Sequence, residues 1–299
     1  MLLDPAFLVA QLLNSLQLAM LLFLLAIGLS VIFGLMNFLN LAHGTIYMLS
    51  AFIAHSVTQH LGSFWLALAL APLAGAAIGL VLFVVLLRRV EASGHLVQVL
   101  VTVGVIYVGM DAVRMIYGDL PKDVPLPASL AGTVDVFGLG YPAYRFFIIG
   151  IGLAVQLALY FALERTRLGA VVRAGVDDRA TVETLGIDIG RVFMLVFAIG
   201  AYLAGLAGVI SAPVFGVYPG MDVMIIILVL IVVVVGGLGS FHGAILGSLL
   251  IGFADTFGKI LLPNFAMMLI YCVMAAVLVV RPEGLIPSRR FRASRAWER

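Results

Sequence analysis

Asn37, Asn40 and His43 fall in the stretch Gly34–Gly44, GLMNFLNLAHG, between two apolar runs. Carboxamide and imidazole groups held at membrane depth need partners, and a polar solute can be one of them. Thr102 and Tyr107 add two more polar groups inside the apolar run Leu96–Tyr117. Asn, Thr and His also pair across helices without touching any ligand. For Thr102 and Tyr107 that structural use is the expected one. The Asn37/Asn40/His43 cluster, beside a predicted helix break, fits substrate contact and helix pairing equally well. These five residues are the candidate substrate pathway.

A second stretch carries charge instead. Glu164–Arg191, ERTRLGAVVRAGVDDRATVETLGIDIGR, holds five arginines and five acidic residues between two apolar runs. Such a segment cannot lie in hydrocarbon. It is also too short for a domain of its own. Leu168, Val171, Val172 and Val176 recur at roughly helical spacing, and Gly186 is a natural helix stop. The expected use is a docking surface for another protein, against the plainer reading of a loop that only returns the chain.

The elements that must hold these residues are membrane helices. The chain is 64 % hydrophobic and 11 % charged, with 32 glycines in 299 residues. Soluble domains run near a quarter charged, so the expected class is all-α: one polytopic helical bundle over 1–299. Clear spans are Leu12–Phe33, Phe64–Leu87, Leu96–Tyr117, Tyr144–Leu163, Val192–Ala212 and Ala266–Val280. Thr45–Val57, Met224–Val235 and Ala244–Ala254 are short, so about 8–9 membrane segments are expected, some of them broken or re-entrant. Met224–Val235 has strand composition, yet an isolated strand in lipid leaves its backbone unpaired, and helix is the better reading.

Gly200, Ala204 and Gly208 recur every fourth residue and predict a close-packing helix face. Gly118–Pro142 reads as an ordered external loop without a helix. Asp111 and Arg114 can pair at i,i+3, Asp222 can compensate a helix dipole at the outer start of a short helix, and Cys272 is expected to be buried. Thirteen of the 17 Lys and Arg residues fall on one set of alternate loops and the tail. The positive-inside rule then places the N-terminus outside and the insert and C-terminus in the cytoplasm. No zinc spacing, nucleotide loop or convergent acid–base pair is present. No catalytic residue, metal site, cofactor or nucleic-acid partner is therefore expected.

Three blocks carry a family resemblance. They are GLMNFLNLAHGTIYMLSAF (34–52), RTRLGAVVRAGVDDRATVETLGIDIGRVFMLVFAIGAYLAGLAG (165–208) and VVGGLGSFHGAILGSLLIGFAD (234–255). Leu41–Phe52 and Ser240–Phe253 also share His-Gly before a small-residue helix, a faint internal repeat. The blocks resemble the permease subunits of bacterial high-affinity branched-chain amino acid ABC importers. Ala42-His43-Gly44 with Tyr47-Met48 is more similar to the first of the two paired permeases.

The resemblance implies a bacterial inner-membrane, multi-pass protein that is not itself an enzyme. Implied partners are a second permease, two cytoplasmic ATP-binding subunits that hydrolyse ATP, and a periplasmic or extracellular substrate-binding protein. It also implies an ATPase-docking loop at 164–191, with Arg167, Gly169, Arg173, Ala174, Asp177, Asp178, Ala180, Leu185 and Gly186 at matching positions. The sequence departs from the family at His242, commonly a small residue or proline, and at Thr181 and Val182, commonly two alanines. Related permeases import urea or short amides, which is the alternative cargo. A stand-alone channel or ion-coupled carrier is the alternative from another class.

Overall fold

Long apolar runs force helix, because every backbone polar group in lipid must be satisfied within its own segment. The computed structural model describes residues 5–91 and 93–286, with backbone alone at 176, 177, 179 and 180. Its helices in chain order are α1 (Pro5–Met36), α2 (His43–Leu61), α3 (Phe64–Val90) and α4 (His95–Tyr117). After a strand pair come α5 (Ala143–Arg165), α6 (Arg167–Asp177), α7 (Arg179–Thr184) and α8 (Ile189–Phe215). Then follow α9 (Met221–Gly236), α10 (Phe241–Leu261) and α11 (Ala266–Val280). Six of these, and α11 counted from Pro263, are long and apolar enough to cross a membrane, with α9 as a shorter apolar helix, and the polytopic bundle is as expected. Helix, not strand, is the state of 221–236.

Helices α1 and α8 form the centre and are buried on most sides. They meet where neither has a side chain: a Cβ built on Gly28 would stand 3.0 Å from the Cα of Gly200. The predicted small-residue face of α8 is the surface used. Gly208 abuts the Tyr47 carbonyl of α2, and Gly205 meets Pro72 of α3, where a Cβ would lie 3.0 Å from the proline Cα. On the far side of α1, Gly252 of α10 packs on Ser15 and Ala19. Close backbone approach substitutes here for the hydrophobic drive that lipid removes.

The two ends of the bundle differ in charge. At one end lie the last turn of α1, the insert and Arg281, with the Leu285 and Ile286 amides bonded to the Val235 and Gly236 carbonyls of α9. Arg145, bonded to Asn14, marks the opposite end, with Lys122 in the loop there. That loop is ordered as expected, but it is built on an antiparallel hairpin, β1 (Thr133–Val136) with β2 (Leu139–Pro142). Phe137 and Gly138 both take positive φ, the two-residue turn that suits strand twist. An Asn-Gly or Asp-Gly signal is missing there, and the hairpin escaped sequence reading for that reason. The Asp111–Arg114 pair forms at 3.3 Å on an exposed surface. Cys272 corrects an expectation: it is exposed, because α11 buries only Ala266 and Ile270 against the bundle.

These contacts make a stability prediction. Gly208→Ala drives a Cβ into the Tyr47 carbonyl, whereas Gly104→Ala meets open space. Overpacking costs typically 1–3 kcal/mol, against a gain of about 1 kcal/mol in helix propensity. In detergent, thermal unfolding followed by size exclusion should show Gly208→Ala melting below wild type and Gly104→Ala at or above it. Equal melting of the two variants would contradict the close approach.

Candidate functional site

Helix α1 ends at Met36, and Asn37 reverses the chain by adopting φ 50°, a left-handed conformation that Asn tolerates better than most residues. Residues 38–42 then run back beside α1 without helical structure. His43 opens α2 with its ring against Gly28; a Cβ there would lie 3.0 Å from the ring carbon Cε1. Eight residues separate Gly28 from Met36, so the chain re-enters by about 12 Å before α2 begins. The break expected at 34–44 is therefore present and lies inside the bundle.

A second helix starts at depth from the other side. Helix α9 has 16 residues, about 24 Å, which falls short of a hydrocarbon core of about 30 Å. Its first turn presses on the first turn of α2, where a Cβ on Gly44 would lie 2.8 Å from the Asp222 carbonyl oxygen and 3.1 Å from Ile226 Cβ. Neither N-terminus has a side-chain cap, the capping positions being Ala42 and Gly220. The starts of α4, α5 and α11 likewise have no side-chain cap, whereas Ser63, Thr166, Asp178, Asp188 and Ser240 cap α3, α6, α7, α8 and α10. Two N-termini without side-chain caps thus converge within the bundle, each with the positive end of its dipole, and the His43, Gly44, Met221 and Val223 amides bond to the Asn40, Leu41, Tyr218 and Gly220 carbonyls.

Polar side chains collect at this junction. Asn40 and His43 are wholly buried, and neither carboxamide atom nor ring nitrogen makes a hydrogen bond of good geometry, although the Leu25 backbone lies near the imidazole. Thr45 Oγ1 donates to Asp222 Oδ2 at 3.3 Å. Asp222 is fully buried, and its Oδ1 lacks a well-formed partner; only the first-turn amides of Asp222 and Val223 lie close. Further along α2, Tyr47 shares a 2.8 Å hydrogen bond with Ser211, and the Ser50 hydroxyl is unpaired between α3 and α8. Buried polar atoms without partners are rare in folded proteins and call for an explanation.

Not every candidate joins this cluster. Asn37 is exposed, with its amide nitrogen 3.5 Å from His95 Nε2. Thr102 is buried and bonded to the Gln98 and Val99 carbonyls of its own helix. Tyr107 is 60 % exposed on the outer face of α4. Thr45, Ser50 and Asp222 were not singled out as pathway residues by sequence. Asp222 does sit in a first helical turn, but the turn is buried and not at the membrane surface. The shortness of α9 was the signal that its start, and Asp222 with it, lies at depth.

The insert is a second candidate surface. Thr166 and Asp178 cap its two helices by accepting from the Gly169 and Thr181 amides, each at 3.1 Å. Val172 and Val182 are buried anchors, and Gly175 faces Leu35 and Ile189. Thr181 and Val182 thus both have internal uses here, the Thr181 hydroxyl bonding Asp178 at 2.5 Å. Gly186 takes φ +79° and ends α7, as expected. The missing side chain of Gly169 makes room for the Leu163 carbonyl of α5. Arg167, Ala174 and Leu185 are exposed, and Arg173 pairs with Glu164 at 3.5 Å. The side chains of Asp177 and Ala180 lie outside the described residues.

Comparison with known proteins places this arrangement. A family described as branched-chain amino acid transport system / permease component matches residues 11–278. The high-affinity branched-chain amino acid permease BraD of Pseudomonas aeruginosa is 28 % identical over 92 % of this chain and 94 % of its own. LivH of Escherichia coli K12, of the same description, is 27 % identical over 92 % and 94 %. The ribose import permease RbsC of that organism is 27 % identical over 83 % and 78 %. The family match begins inside α1 and ends inside α11, so it takes in every element that builds the buried junction, and the chain belongs to the family of branched-chain amino acid transport system permease components.

Proposed function

We propose that this chain is the membrane-spanning subunit of an ATP-driven importer and forms, with a second permease, the route for leucine, isoleucine and valine. The observation that carries the reading is the buried junction of α2 and α9, with Asn40 and His43 unpartnered at a helix break. Discontinuous helices mark substrate sites in many transporters. A zwitterion with an aliphatic side chain needs hydrogen-bonding groups beside apolar surface. Ile46 and Ile226, both buried next to the junction, supply the latter. ATP hydrolysis belongs to separate cytoplasmic subunits, and a soluble binding protein delivers substrate from outside.

The insert is the surface on which those ATPase subunits dock. It joins α5 to α8 and packs against α1, so a push on α6 or α7 bears on both central helices. Leu185, 72 % exposed, is its most prominent free apolar side chain. The excess of cations at the insert end favours that end as cytoplasmic and the N-terminus as outside.

Three measurements test this. Asn40→Ala and His43→Ala, assembled with partner subunits in proteoliposomes, should each reduce leucine uptake by roughly tenfold, the effect of losing about 1.4 kcal/mol of transition-state interaction. Wild-type kinetics in both would remove them from the pathway, and uptake of urea or ribose but not leucine would replace the proposed cargo. Leu185→Asp should leave the permease inserted but lose co-purifying ATPase; retained association and coupled hydrolysis would reduce the insert to a connector. For orientation, Arg173→Cys in a Cys272→Ser chain should label with an impermeant thiol reagent only after cells are permeabilised. Labelling in sealed cells would invert the topology.

A further inference from the structure

Asp222 is the one acidic side chain at the junction, and dipole compensation alone does not explain its position. A carboxylate serves a helix N-terminus equally well while exposed to water, and burial adds a desolvation cost that such a role does not require. No ion pair to Asp222 occurs among the described residues, and its Oδ1 lacks a well-formed hydrogen bond. The Thr45 hydroxyl donates its single proton to Oδ2, and the first-turn amides of Asp222 and Val223 lie close to the carboxyl without a well-formed bond to Oδ1. One carboxylate and one hydroxyl are too few oxygen ligands for calcium or magnesium, which take six or more. An ammonium group needs less: a charged acceptor and a neighbouring neutral one.

We infer that Asp222 receives the ammonium group of the amino acid in the membrane, where the first turns of α2 and α9 meet. The assignment rests on reading the chain as an amino acid permease and adds the group that recognises the cation. One buried carboxylate matches the cationic half of a zwitterion, and the positive end of the α2 dipole beside it favours the anionic half. Ile226, one turn along α9 from Asp222 and against Gly44, offers apolar surface for the aliphatic side chain. An uncharged solute such as a sugar or urea has no cation to compensate this carboxylate, so the site selects against it. In the closed junction seen here Asp222 is sealed from solvent, and substrate reaches it only as α2 and α9 part.

The test uses the full complex in proteoliposomes, with wild-type leucine uptake measured first. Absence of leucine uptake by wild type would sink the amino acid reading and this assignment together. Given wild-type uptake, Asp222→Asn should assemble normally and lose about 30-fold or more in leucine uptake, the scale of an unpaired buried charge. Asp222→Glu should recover part of it. Uptake by Asp222→Asn within about twofold of wild type would overturn the Asp222 assignment and leave the amino acid reading intact.

A second measurement reads local charge without transport. In a Cys272→Ser chain carrying Thr45→Cys, a cationic methanethiosulfonate should react during ATP turnover at least about tenfold faster than an anionic one of similar size. Leucine should slow the reaction, and adding Asp222→Asn should abolish the preference. Equal rates for the two reagents, or no reaction under turnover, would place the carboxyl off the route and overturn the inference even if Asp222→Asn failed to assemble.

Discussion

Everything in this molecule turns on one constraint: backbone N–H and C=O groups cannot be left open to hydrocarbon. Residues 38–42 have no regular helix and must be wrapped by other helices, whereas at 216–220 the Val217 amide and carbonyl pair with Lys122 of the 118–142 loop. That requirement explains why α1 and α8 are the buried centre. Their contact at Gly28 and Gly200 brings two long helices close enough to shield the first turns of α2 and α9. Gly208 does the same for α2 through the Tyr47 carbonyl. The glycines are therefore part of the permease's working geometry, because they create the dry space in which a broken helix can exist.

Within that space electrostatics has long reach. Two helix N-termini bring partial positive charge to one place, and Asp222 brings a negative one beside them. In a region of low dielectric neither is screened as it would be at a surface. The groups of this site are imperfectly satisfied in the closed form, and on the reading proposed above a zwitterion satisfies them. The cost of leaving Asn40, His43 and Asp222 underbonded lowers the barrier to parting α2 from α9. In that proposal, substrate passage and helix separation are linked through the same few polar atoms.

On the proposed reading, the insert carries the ATPase side of the transport cycle. Caps at Thr166, Asp178 and Asp188 define three successive helix starts, so α6, α7 and α8 form a stiff corner and not a slack loop. Gly169 lets α6 turn sharply against the end of α5, and Gly175 seats it between Leu35 and Ile189. A displacement at this corner reaches α1 and α8 directly. Those are the helices that enclose the junction.

Much of this was legible in residue order. Apolar runs separated by charged or glycine-bounded stretches imply a helical bundle, because lipid admits few alternatives. The period-four small residues Gly200, Ala204 and Gly208 announced a packing face, Gly186 a helix end, and Asn37–His43 a break. Local rules act within a few residues, and these features obey them. Three-dimensional placement decided the rest. Only the packed bundle shows that α9 begins beside α2, which turns Asp222 from a surface dipole partner into a buried anion 177 residues from the Thr45 hydroxyl that holds it. Likewise Tyr107 and Cys272 face outward and Gly169 answers to Leu163, because which side of a helix is buried depends on neighbours far away in the chain. In a membrane sequence that is apolar on all sides, periodicity cannot announce that side, and only the contacts between helices determine it.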